Sequence, residues 1–84
     1  MKVYLVIDDW KREEEHEITV VGVFQNREDA EITLADQIKE IREAPNATEF
    51  DTVEEREGDY YEAWNDGYYS DAYDHIYIEE QEVK

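Results

Sequence analysis

A chain of 84 residues without cysteine has room for one domain and must build its core without disulfides or thiolate metal sites. Its 25 Asp and Glu against 8 Lys and Arg leave a formal charge of -17, well past the roughly 2 to 8 that suffices to keep a small domain soluble, and a charge of that sign excludes phosphate backbones and anionic membranes as direct partners. Since 40% of the residues are hydrophobic and fall in periodic runs, the chain is expected to fold rather than stay disordered, and no apolar run approaches the ~20 residues of a membrane span.

Residues 3–7 (Val-Tyr-Leu-Val-Ile) are apolar and rich in β-branched types. They predict a strand covered on both faces, hence central in a sheet. The N-terminal apolar stretch is too short for a signal peptide, which, with the absence of cysteine, points to the cytoplasm. Residues 8–15 are charged apart from Trp10 and predict a turn or loose hairpin tip, with Trp10 either folded over a sheet edge, the favoured reading, or exposed for a partner. Residues 18–24 predict a second strand, paired with the first in an antiparallel hairpin. Gly22 within it marks a bulge or close packing against the helix that follows.

Asn26 has the character of a helix N-cap, and Asp29 three residues on makes a capping-box-like pattern. Glu28 and Asp29 suit the positive end of the helix dipole. Ala30, Leu34, Ile38 and Ile41 form one apolar stripe at helical spacing, with Ile32 off it. Pro45 stops the helix, which is therefore expected over residues 27–43.

Beyond Pro45 the composition changes. Residues 46–84 hold 13 acidic and 2 basic residues, or -11, whereas residues 1–45 hold 12 and 6, or -6; six of the seven tyrosines also lie in the second half. Residues 50–53 can begin a third strand. Residues 59–64 read as either a short helix or a strand. Asn65-Asp66-Gly67 is a turn signal. Residues 75–83 predict a last strand, with Ile76 and Ile78 on one face and Tyr77 and Glu79 on the other. The expected architecture is a single α+β domain over residues 1–84: an antiparallel sheet of three or four strands with one long helix packed on one face.

Little points to chemistry. Ser70 stands in no nucleophile motif and no glycine-rich phosphate loop exists, Gly22, Gly58 and Gly67 being isolated. Adjacent carboxylates such as Asp8-Asp9 are inevitable among so many acids, so they argue weakly for acid–base work. Asp71-x-x-Asp74-His75 offers metal-compatible groups, but as a strand or loop histidine His75, like His16, is better read as structural. The expectation is a protein that is not an enzyme and holds no cofactor.

The carboxylates are better read as an ensemble. A duplex carries about one negative charge per 1.7 Å of axis, and side chains fixed on strands or helices can imitate that spacing. The candidates are Glu54, Glu55, Glu57, Asp59, Glu62, Asp66, Asp71 and Asp74, with Glu79, Glu80 and Glu82 beyond them. The interleaved Tyr60, Tyr61, Tyr68 and Tyr69 can stack on guanidinium groups and suit a protein interface. The partner so described is a basic nucleic-acid-binding protein, with no direct contact to nucleic acid or membrane. The rival reading is a solvated acidic face with tyrosines serving the core.

The run Val21-Gly22-Val23-Phe24-Gln25-Asn26-Arg27-Glu28-Asp29-Ala30, after the Lys-Val-Tyr-Leu-Val strand, resembles many short phage and bacterial proteins. They share a strand, a second strand ending in Gly-Val-Phe and a helix opening on a Glu-Asp-Ala-like cap. The likeness covers residues 2–42 and implies a fold and a phage origin rather than an activity. In size and charge the chain is also similar to acidic phage anti-CRISPR and anti-restriction proteins that mimic DNA. That likeness implies an inhibitor of a host defence complex, acting in the cytoplasm of an infected bacterium as a monomer or homodimer. Two alternatives stand beside it: an accessory or structural phage protein that self-associates, and a small regulator that adds a strand to a sheet edge.

Overall fold

A computed structural model describes residues 1–12, 15–43, 50, 52–64 and 72–83. Strands β1 (Lys2–Arg12) and β2 (Glu15–Phe24) form an antiparallel hairpin that outlasts the apolar runs. The charged stretch expected to be a loose tip continues the ladder, with Trp10 opposite Glu17 and Lys11 opposite His16. A strand with one solvated face tolerates polar side chains at alternate positions, so charge alone does not end it. The register shifts between Val6, opposite Gly22, and Ile7, opposite Val20, which leaves Val21 as the extra residue of a bulge. The close neighbour of Gly22 is not the helix but the Phe24 ring: a Cβ there would sit 2.7 Å from two of its carbons.

Helix α1 (Arg27–Glu43) has the expected limits. The Asn26 side-chain oxygen accepts the Glu28 N–H at 2.8 Å, satisfying one of the orphan donors of the first turn. Ala30, Leu34 and Ile38 are buried and Ile41 is half-buried, while Ile32 is 57% exposed. No helix of the described residues is long and apolar enough to cross a membrane.

The second half adds β3 (Thr52–Arg56), β4 (Tyr60–Trp64) and β5 (Tyr73–Glu82). The antiparallel sheet therefore has five strands, not three or four, in the order β2-β1-β5-β4-β3. The difference lies in residues 52–64, which make a hairpin of their own. Gly58 in its turn has φ 79° and the Asp59 N–H reaches the Arg56 carbonyl at 3.0 Å, a left-handed position that glycine fills without a Cβ penalty. Tyr61 and Ala63 then point inward while Tyr60, Glu62 and Trp64 point outward, a period of two that excludes the helical alternative.

The core sits between α1 and one face of the sheet: Val6, Ala30, Leu34, Ile38, Phe50, Tyr61, Ala63 and Ile76. Trp10 is half-buried on that side of β1. Strand β1 is central in order, and Val6 and Ile7, on its two faces, are both buried, 0% and 6% exposed, though the second face is covered without a second layer. Among the described residues no element packs on the far side, where Ile7 is flanked in the ladder by Val20 and Tyr77. One helix is wide enough to cover a single face of a sheet, and the other elements among the described residues are strands.

Candidate functional site

The uncovered face is built by register. Residues directly opposite in antiparallel strands share a face, so three rows can be followed across the sheet. Glu54, Glu62, His75, Asp9 and Ile18 form one; Arg56, Tyr60, Tyr77, Ile7 and Val20 the next; Thr52, Trp64, Tyr73, Lys11 and His16 the third. The face is thus aromatic at its centre, aliphatic along β2 and acidic toward β3.

Two polar clusters lie on it. At the β3–β4 end the Tyr60 hydroxyl donates to Glu54 at 2.8 Å, and Glu54 stands opposite Glu62. The Tyr60 ring meets His75 edge-on at 6.4 Å, and His75 packs on Tyr77 at 4.6 Å. At the β1–β2 end His16 Nε2 is 2.7 Å from Asp9 Oδ1. The Tyr73 hydroxyl donates to the same oxygen at 3.1 Å and lies 3.0 Å from His16 Nε2. All three open-face tyrosines are held above the usual phenol range. For Tyr60 the main cause is the hydrogen bond to Glu54. For Tyr73 it is desolvation, then the bond to Asp9. For Tyr77 it is desolvation, then the charge of Glu79. Phenols beside carboxylates stay protonated and act as donors.

The carboxylates expected to bind a partner divide by what they already touch. Glu55 forms an ion pair with Arg42, which also lies over the Tyr61 ring at 5.5 Å. Asp59 is held by Arg27 at 2.6 Å and Arg56 at 2.9 Å. Glu80 pairs with Lys2 and Glu82 with the N-terminal ammonium. Among the described residues Glu54, Glu57 and Glu62 meet no cation. Glu57 lines a groove of about 530 Å³ between α1 and the β3–β4 turn, floored by Leu34, Ala35 and Ile38. Tyr61 and Asp74 are buried on the helix side, 4% and 7% exposed, so neither is presented at the surface. Asp66, Asp71, Tyr68 and Tyr69 lie outside the described residues.

Asp74 and His75 point to opposite faces of β5, so that pair does not converge on one ion. Among the described residues no three metal-ligating groups come together. Sequence reasoning missed the Asp9–His16–Tyr73 cluster and the His75–Tyr77 stack. The alternation Tyr73-x-His75-x-Tyr77, opposite in phase to Ile76 and Ile78, was the available signal for the aromatic row. Comparison with protein-family models, curated proteins and solved structures finds no match for this chain.

Proposed function

We propose that this is a non-catalytic binding protein whose open sheet face, at its β3–β4 end, engages the basic nucleic-acid-binding surface of another protein by presenting carboxylates where phosphates would sit. The resemblance in size and charge to anti-CRISPR and anti-restriction proteins makes a host defence complex the favoured partner, a CRISPR effector first and a restriction enzyme second. The observation that carries the reading is the pair Glu54 and Glu62, directly opposite each other on the open face, neither in an ion pair among the described residues. Like charges so placed destabilise a sheet. A guanidinium or ammonium group from a partner would relieve that repulsion, and Tyr60 and Tyr77 beside it offer ring faces for arginine.

Binding of this kind is steered by charge and weakens with salt. The test is titration of the protein into a basic nuclease complex at low and high salt, with DNA as competitor. The expected result is salt-sensitive binding that DNA displaces. Glu54→Lys with Glu62→Lys should abolish it, while Glu80→Lys, on the other face, should weaken it little. Affinity indifferent to salt, or simultaneous binding of DNA and this protein, would exclude charge mimicry.

A further inference from the structure

The two edges of the sheet are unlike. Strand β3 is five residues long and carries Glu54, Glu55 and Arg56, the short and charged kind of edge that discourages a further strand. Strand β2 has ten residues and, among the described residues, no strand on its outer side. It runs into the longest uncharged stretch of the chain, residues 18–26, in a sequence of which 39% is charged. Ile18, Val20 and Val23 are 59%, 50% and 59% exposed. A strand at an open edge that is β-branched and uncharged from Ile18 onward is a template for pairing. Such a strip has nothing to offer a cationic partner, for which the chain has carboxylates elsewhere. It is, however, where two copies of a chain of charge -17 can meet without setting carboxylate against carboxylate.

We propose that β2 is the contact of a two-fold homodimer in which the β2 strands of two copies pair antiparallel about Thr19, joining the two sheets into one. Centring on Thr19 sets Ile18 of each copy opposite Val20 of the other on the open face. Glu17 then faces Val21, and Glu15 faces Val23, of the second copy. The centre of this register, Ile18 to Val20, lies ahead of the bulge at Val21, which falls in its outer part. A two-fold contact of this kind closes on itself instead of propagating. It does not depend on the charge-mimicry reading, because the basic partner would dock at the opposite end of the sheet.

Sedimentation of the full chain from micromolar to millimolar concentration, at low and high salt, tests it. The expected result is a monomer–dimer equilibrium whose dimer fraction rises with salt as repulsion is screened, opposite in sign to binding of a basic partner. Val20→Glu should raise the dimer Kd by at least about tenfold, and Glu62→Lys should not weaken it. The chain has no cysteine, so Thr19→Cys supplies a single thiol. Opposed Cα atoms in an antiparallel pair lie about 4.5–5.5 Å apart, within disulfide reach. Under oxidation Thr19→Cys should give a covalent dimer, and Val53→Cys on the β3 edge should not. A monomer under all conditions, open-ended assemblies, or equal cross-linking of the two cysteine variants would overturn the proposal. Loss of basic-partner binding with the dimer intact would sink the mimicry reading alone.

Discussion

Arg27 Nη2 stands 2.6 Å from Asp59 Oδ1, and the same guanidinium donates to the Gly58 carbonyl at 3.3 Å and to Glu31 at 3.0 Å. One side chain in the first turn of α1 thereby ties the helix to the β3–β4 turn. Both partners of the 2.6 Å pair are about 40% exposed (41% and 38%), so solvent screening keeps its worth to about 1 kcal/mol or less. Arg27→Gln is expected to lower stability by that amount in urea unfolding. Amide exchange should speed up in β3 and β4 more than in β1. An even rise across the sheet would show that the tie is not local.

The opposed Glu54 and Glu62 make a prediction of the other sign. Glu62→Gln removes one charge and keeps the shape, and is expected to stabilise the fold by about 0.2–1 kcal/mol. It should weaken binding to a basic partner at the same time. Thermal unfolding read beside the binding titration checks both, and a destabilised variant would show that Glu62 is compensated in the free protein.

Two glycines are needed for different reasons. Gly58 has φ 79°, and a methyl group added there would meet nothing closer than a Glu31 carboxylate oxygen at 3.5 Å. Gly58→Ala therefore costs backbone strain alone, about 1–2 kcal/mol. Gly22→Ala meets the Phe24 ring at 2.7 Å, and overpacking of this kind costs about 1–3 kcal/mol. Chemical denaturation of both variants should show losses. Pairing Gly22→Ala with Phe24→Leu should recover part of the second loss and none of the first.

The phenols set an alkaline limit. Tyr60, Tyr73 and Tyr77 have pKa values raised above 10.0 in the folded chain. Folding therefore favours their protonated forms. That contribution is complete below the unfolded value and is lost as pH rises through the folded one. Stability is expected to fall above pH 10, and the absorbance of phenolate should appear later in the native protein than in urea. Tyr60→Phe, which deletes the donor to Glu54, should flatten part of that slope.

Helix α1 is legible in the sequence because its signals are local: the Asn26 cap, the stripe Ala30, Leu34 and Ile38, and Pro45 beyond the end. The two faces of β5 are legible for the same reason, as Ile76 and Ile78 alternate with His75 and Tyr77 within a few residues. Strand β4 is not, because Tyr and Glu suit either period over five residues, and only pairing with β3 and β5 selects one. The length of the first hairpin is hidden too, since charged residues hold a ladder when one face is solvated.

For the candidate site the residue types were enough to name carboxylates and tyrosines as its material, and composition alone determined that this surface is strongly anionic. Which carboxylates remain unneutralised was decided by tertiary contacts. Arg27 reaches Asp59 and Arg42 reaches Glu55 across more than ten residues of chain. Strand order brought Asp9, His16 and Tyr73 together and left β2 at an open edge. Hydrophobic periodicity and capping act between neighbours in sequence, whereas charge pairing and edge exposure depend on which strand lies beside which, and that is settled only when the sheet closes over its helix.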